Sequence, residues 1–474
     1  MAGAVRTLHG QLLGRDFVEV VGPGTFFWLA LFFKLFGVTF FASRVCLFVS
    51  TLGTALCIYF LSRRICARHQ LLPFILLIGL YFDTFWPGIS HHVDSNFFAL
   101  LAVVCMVLWQ DSKRTWPLIA SGVLVGLTTL TLQTKGLLLL PALLVWLWVQ
   151  RRKDAVSSLA PVWVTGGFLS AVCAMLGYFW ARGALGDLIY ANIVWPARSY
   201  GPTFSVPYAF LTSEYFTHWI VPMHGINWTC AMATVLIVPF LFVSAVPLLL
   251  LLLRMRYRNR DFRPEISLYW LAGAALWLSE LHRKDIAHLV FGCPLLIVLC
   301  VFYLQERKTK ACSVTLSVLT IASSSLCVAT LFVALAARSM PTRAGRIYAA
   351  AEGPVLTAIE EHVRPGGEVF IYPYAPMDYF LTGTSNPTRY STFCFDFKFG
   401  SSSQLEEVTR TLEQHKVKYV VWDHKAERRI GQLFFPKGGA GRFLIQPYFE
   451  AHYKPIWADG ETQLMERKAD YEAR

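Results

Sequence analysis

Ionisable side chains are scarce in this sequence, and those set among apolar residues fall into a few short stretches. GRDFVEVVGPG carries Asp16 and Glu19, SHHVDSN carries His91, His92 and Asp94, QTKG carries Lys135, and ELHRKDIAH carries Glu280, His282, Arg283, Lys284, Asp285 and His288. Residue types of this kind suit one sort of work: Lys and Arg hold an anion while a carboxylate takes a proton from a hydroxyl. Each also has a plainer reading. Asp16 and Glu19 precede an apolar helix and can serve only its positive N-terminal end. His91, His92 and Asp94 could ligate a metal, but they are local and lack a fourth ligand; a polar turn before the next span explains the histidines as well. Lys135 can meet a phosphate or simply snorkel to headgroups. Arg283 and Lys284 can be ordinary interfacial basics, and His288 a satisfied histidine at the lip of a span.

The elements that must position these residues are membrane helices. The chain has 474 residues, 55% hydrophobic and only 15% charged, with mean hydropathy +0.47, against roughly 25% charge in a soluble protein. A polytopic membrane protein is predicted. The net charge of +13 does not call for nucleic acid, because the basic residues cluster in short loops between apolar runs. Most of the eleven cysteines lie inside those runs, and no CxxC pair occurs, so neither a disulfide framework nor a zinc knuckle is expected. Met1 leads into RTLHGQLLGRDF, which is polar and amphipathic and unlike a secretory leader.

Apolar runs of spanning length cover 39–62, 71–88, 95–109, 116–132, 136–149, 157–181, 231–253, 264–281, 287–305 and 311–337. Residues 22–37 are too short to span comfortably and contain Lys34, so an interfacial or re-entrant helix is expected there. Lys135 is the only ionisable side chain in residues 116–150. As one helix that stretch would be about 52 Å long, too long for a ~30 Å apolar core. Two spans meeting at Gln133–Gly136 put Lys135 at a membrane face. If ten spans alternate, the basic groups at 63–68, 113–114, 151–153, 254–263 and 307–310 all fall on one side. That side is cytoplasmic by the positive-inside rule, and the scarce acids and bases face outward.

Residues 338–474 are a different material. EGPVLTAIEEHV and SQLEEVTRTLEQHK read as helices, GEVFIYPY and VKYVVWD as strands, and YKPIWADGETQLMERK as a hairpin about Asp459-Gly460. A small extracytoplasmic α/β domain is expected there, without the glycine-rich loops that cradle nucleotides. The division is then a membrane domain at 1–337 and a soluble domain at 338–474.

GRDFVEVVGPGTFFWLALFFKLFG, followed by Ser43-Arg44, resembles the second segment of GT-C glycosyltransferases of the protein-mannosyltransferase and aminoarabinose-transferase-like branch. Asp94 after a polar loop, Thr134-Lys135-Gly136, the stretch Asp285-Ile286-Ala287-His288 before a Pro-containing span, and a tail closing in MERK are similar to that family too. The resemblance covers nearly the whole chain, and its strength lies in the order and spacing of short motifs. It implies an all-α polytopic membrane domain of about ten transmembrane helices, with a small C-terminal α/β domain. It implies inverting transfer of a sugar from a polyprenyl-phosphate donor to a lipid, glycan or protein acceptor outside the cytoplasm, in a cell (inner or plasma) membrane. The carboxylates available for catalysis are Asp16, Glu19 and Asp94. Lys135, Arg283, Lys284 and His288 would hold the lipid phosphate, and Glu19 matches an acidic residue that binds a divalent metal in some relatives. Beyond that metal, no cofactor and no nucleic-acid partner is expected.

Relatives begin with a helix that ends in an acidic pair carrying the usual base, and residues 1–14 contain no carboxylate. By that resemblance the first family helix is expected to be missing from residues 1–14. Either the start lies upstream, which the topology favours, or Asp16 or Asp94 has taken over, or the protein is inactive. A transporter, a non-catalytic envelope assembly partner and an oligosaccharide ligase or polymerase are the competing readings. The aromatic residues of 182–230, Trp195, Tyr200, Tyr215 and Trp219, suit either a sugar- or lipid-contacting cover or an interfacial belt.

Overall fold

The computed structural model describes residues 1–19, 21–81, 89–152, 158–200, 206–209, 229–255, 263–336, 338–349, 353–373, 375–390, 402–428 and 445–468. Tyr215 and Trp219 lie outside these residues, as does the side chain of Tyr200.

Each of the ten apolar runs contains helix. A short α1 (Ala2–Leu8) and α2 (Pro23–Phe36) precede α3 (Phe40–Ile65), α4 (Leu72–Tyr81), α5 (His91–Ser112), α6 (Trp116–Thr131), α7 (Gln133–Arg151) and α8 (Ala160–Ala181). After α9 (Leu185–Ile189) the backbone continues as π-helix through Tyr190–Val194 and Pro196–Tyr200. Then follow α10 (Thr229–Met255), α11 (Pro264–Ser279), α12 (Ile286–Gly292), α13 (Pro294–Glu306) and α14 (Lys310–Ala336). The starts have local causes: Pro opens α2, α11 and α13, where its missing N–H costs nothing. Side chains of Thr39, Ser90 and Asp285 cap α3, α5 and α12.

Among the described residues, five helices are long and apolar enough to cross a membrane: Phe40–Ile65, His91–Ser112, Ala160–Ala181, Val238–Met255 and Lys310–Phe332. The pair α12 and α13, bent by 72° at the Cys293–Pro294 step, would make a sixth. The run expected at 287–305 is thus not one straight span. Pro294 cannot donate the backbone bond that would carry the helix through.

Two local expectations need correction. The histidines of SHHVDSN are not in a turn: Ser90 accepts from the His92 N–H and starts the helix at His91. QTKG is not a turn either. The break is Leu132 alone, with extended φ of −139°, and Lys135 sits in the first turn of α7.

The C-terminal region contains α/β structure. A hairpin of β1 (Arg338–Thr342) and β2 (Gly345–Ala349), absent from the sequence reading, comes first. A four-stranded sheet of order β3-β4-β6-β5 follows, from β3 (Phe370–Tyr372), β4 (Tyr419–Asp423), β5 (Tyr453–Asp459) and β6 (Thr462–Arg467). The pair β3–β4 is parallel and the others antiparallel. Helices α15 (Pro354–His362), α16 (Pro376–Thr382), α17 (Ser402–Gln414) and α18 (Gln446–His452) alternate with the strands. GEVFIYPY yields only three strand residues. Its core is Phe370, Val420, Trp422, Phe449 and Met465. A further cluster joins this region to α2, with Phe33 stacked on Phe380 at 5.6 Å between ring centroids.

Candidate active site

The scarce ionisable groups converge on Glu280, which follows the last turn of α11 and is fully buried. The Lys135 ammonium, also fully buried, lies 2.7 Å from Glu280 Oε1. Its second partner is Asn96 Oδ1 at 2.6 Å. Asn96 is fixed in turn by its own NH₂, which donates to the Tyr81 hydroxyl and to the Phe291 carbonyl. His92 Nδ1 meets the other side of the carboxylate, 3.2 Å from Oε1 and 3.0 Å from Oε2. Four helices, α5, α7, α11 and α12, thus bring one end each to a single carboxylate. An ion in so dry a place is tolerated only when paired and hydrogen-bonded, and Lys135 and Glu280 satisfy that condition for each other.

Three histidine rings surround this centre. His92 lies edge-on to His288 at 4.6 Å and stacks on Phe291 at 5.1 Å, and His282 is 5.5 Å from His288. Asp285 orients His288, accepting from its backbone N–H at 3.0 Å and facing its Nδ1 at 2.7 Å. The other Asp285 oxygen accepts from Arg283 Nε at 2.7 Å. Arg283 and Lys284 are half-buried at the rim of the cluster.

Donor atoms of His92, Glu280 and His288 all lie within 4.8 Å of one another, and all three residues are buried. Glu280 Oε2 lies 3.0 Å from His92 Nδ1 without an aligned hydrogen bond, which leaves it a lone pair to give. A carboxylate on His288 Nδ1 leaves Nε2 as the ligand atom, the usual support for a metal-bound imidazole. The set therefore fits a divalent cation of the kind that takes two imidazoles and a carboxylate. Glu19 is not part of this group.

The expected catalytic carboxylates are not members of this group. Asp94, at 1% exposure, accepts from Thr25 Oγ1 at 3.0 Å and Ser50 Oγ at 2.8 Å, tying α2, α3 and α5 together. Asp16 accepts from Arg15 at 2.9 Å and from the Leu12 N–H at 2.7 Å. Arg15 holds its carboxyl below the usual carboxylate range. Glu19 is half-buried just before the Gly22–Pro23–Gly24 turn. That turn packs on the α6–α7 junction: a Cβ on Gly22 would stand 2.1 Å from the Leu130 carbonyl oxygen, and one on Gly24 2.5 Å from Thr131 Oγ1. The acidic segment and the Lys135 cluster therefore share one end of the helical bundle.

Neither His92 nor Glu280 stood out from its neighbours in the sequence, and Asn96 carried no signal at all. The available clue was electrostatic, since a lone lysine in hydrocarbon requires an anion from a distant element.

Apolar helices whose charged ends meet at one place are thus followed by an α/β region. Residues 20–180 match the family model described as dolichyl-phosphate-mannose-protein mannosyltransferase. The crystal structure of ArnT from Cupriavidus metallidurans bound to undecaprenyl phosphate superposes with a TM-score of 0.60. The two are 12% identical, over 99% of this chain and 92% of that one. The apo form of ArnT from the same organism gives a TM-score of 0.45 at 12% identity and the same coverage. No curated protein matches the chain. The resemblance read from the sequence is thereby met by both the family model and the fold.

Proposed function

We propose that this protein is an integral-membrane glycosyltransferase that moves a sugar from a polyprenyl-phosphate donor to an extracytoplasmic lipid, glycan or protein acceptor, with inversion. The observation that carries this reading is the meeting of His92, Lys135, Glu280 and His288 at one end of the bundle, with Arg283 and Lys284 at its rim. This reading takes about ten spans, with residues 1–337 as the membrane domain and with that end of the bundle and a soluble domain at 338–474 outside the cytoplasm of an inner or plasma membrane.

In the reaction, the acceptor hydroxyl oxygen attacks the anomeric carbon from the face opposite the phosphate. The anomeric C–O bond breaks, and its electron pair leaves on the lipid phosphate. Glu19, half-buried beside the Gly22–Gly24 segment that packs on the α6–α7 junction, takes the hydroxyl proton. Arg283 and Lys284 neutralise the phosphate as its charge grows. Lys135 is completely enclosed, so its part is to fix the charge and orientation of Glu280, and through it the histidines. A divalent cation held by His92, Glu280 and His288 would supply Lewis-acid charge to an anionic group beside it.

The test uses purified full-length protein and polyprenyl-phosphate sugars labelled in the sugar. Release of unlabelled polyprenyl phosphate with an acceptor carrying the label is the expected result. Lys135→Ala should abolish it while the protein stays membrane-inserted, and Arg283→Ala with Lys284→Ala should raise KM for the donor. Full activity of Lys135→Ala would refute its assigned part, and vesicle uptake of an intact substrate without cleavage would favour a transporter.

A further inference from the structure

The segment bearing Asp16 and Glu19 is pinned to the C-terminal region through one arginine. Arg6, on α1, engages all three guanidinium nitrogens. Its Nε donates to Gln11 Oε1 at 2.5 Å, one Nη to the Thr388 carbonyl at 3.0 Å and the other to the Asp16 carbonyl at 2.6 Å. The guanidinium also lies over the Phe17 ring, 5.4 Å from its centroid. Beside it the Val18 N–H donates to the Arg389 carbonyl at 2.8 Å, an isolated bridge that pairs Val18 with Tyr390. Within the segment, Gly14 N–H donates to the Phe17 carbonyl at 2.7 Å, and Phe17 is fully buried against Phe26. The chain from Leu12 to Val18 is thus a closed turn, and the edge formed by residues 388–390 holds its outer side.

This arrangement has a consequence for catalysis. Glu19 follows Val18 directly, and the Gly22–Gly24 turn anchors the far side of the same short segment on α6. A carboxylate between two anchors keeps its place only while both hold, and a misplacement of about 1 Å can cost ~10²-fold in rate. We propose that Arg6 is a positioning residue, and that the 388–390 edge completes the frame of the active site by clamping the Asp16–Glu19 segment. The role as positioning device rests on the glycosyl-transfer reading above; the clamp itself does not. The C-terminal region then serves the chemistry from a distance, whatever else it binds.

Amide hydrogen exchange and steady-state kinetics on the full-length protein in lipid nanodiscs test this. Losing the charge-assisted bonds of Arg6→Ala should speed exchange at the Val18 amide by about tenfold or more, with Val421 in the sheet unchanged. Turnover should fall by a similar factor, about tenfold or more, while KM for the lipid donor holds, the pattern of a misplaced catalytic group. Arg6→Lys should recover part of both. In the Arg6→Ala background, a disulfide between Val18→Cys and Tyr390→Cys, verified by peptide mapping, should restore turnover without restoring the arginine. Unchanged exchange in Arg6→Ala overturns the clamp. Faster exchange with wild-type turnover, or a closed disulfide with no recovery, overturns the positioning role. A wild-type protein with no transfer would overturn the proposed function instead, and the exchange arm would still decide the clamp.

Discussion

At the scale of single residues, the Lys135–Glu280 pair decides what the membrane domain can tolerate. Both side chains are at 0% exposure, so each is the other's replacement for water. Glu280→Leu should destabilise the purified protein by about 3–5 kcal/mol, because it strands a buried ammonium. The double variant Lys135→Met with Glu280→Leu should regain most of that loss, since two apolar side chains pack where an ion pair stood. Thermal unfolding in one detergent checks both, and a double variant weaker than the single would contradict the pairing. Transfer should remain absent in either. The same carboxylate carries the metal prediction: Glu280→Gln and His288→Ala should each lower bound divalent metal, measured by elemental analysis of purified protein, whereas Glu19→Gln should not. The sequence marked Lys135 as anomalous because charge in hydrocarbon is costly. It could not identify the partner, because Glu280 lies on α11, far along the chain from Lys135, and the His92–Asn96 pair on α5 shares no local spacing with either.

At the scale of elements, close packing and burial set the limits. The Gly22–Gly24 turn lies against the backbone of the α6–α7 junction, and a methyl on Gly22 would meet the Leu130 carbonyl oxygen at 2.1 Å. Backbone atoms cannot swing aside as a side chain can. Gly22→Ala should therefore push the turn off α6 and cut transfer severely, with accelerated proteolysis near residues 19–24 as an independent readout. The apolar runs were readable because length and hydropathy alone make them helices. The bend at Pro294, the start of α5 at His91 and the break confined to Leu132 were not, since each depends on one cap or one lost hydrogen bond. In the C-terminal region, α16 carries Asp378, whose carboxyl is pushed up to about 7 by burial and by the charge of Asp423. The folded region keeps that proton to about pH 7, whereas an unfolded chain releases it near 3.8. Between those values the folded state binds more protons, so stability falls as pH rises. Asp378→Asn should remove that slope, seen as α16 amide protection factors, corrected for the intrinsic pH dependence of exchange, that no longer fall between pH 5 and 7. An unchanged slope would assign it to another group.

At the scale of the whole molecule, the cluster around Glu280 has meaning only if the ends of α5, α7, α11 and α12 emerge on one side of a bilayer. Their mutual contacts require a common side, and the distribution of Arg and Lys is the basis for proposing the outer one. The basic stretches at 63–68, 113–114, 151–153, 254–263 and 307–310 lie at the opposite ends of the same apolar runs. This pattern could be read from the sequence because it is a property of loops, independent of how helices pack. Single cysteines introduced at Ile89, Arg283 and Ser339 should react with an impermeant maleimide on intact cells or right-side-out vesicles. Cysteines at Arg64, Lys113 and Arg307 should react only after permeabilisation. Reaction of both sets from outside would break the alternation on which the span count rests. Ile89 labelled from outside and Arg283 only from inside would do more damage. Two elements that share one carboxylate would then have to reach it from opposite faces of a ~30 Å hydrocarbon layer, and the charges that define the proposed site could not meet.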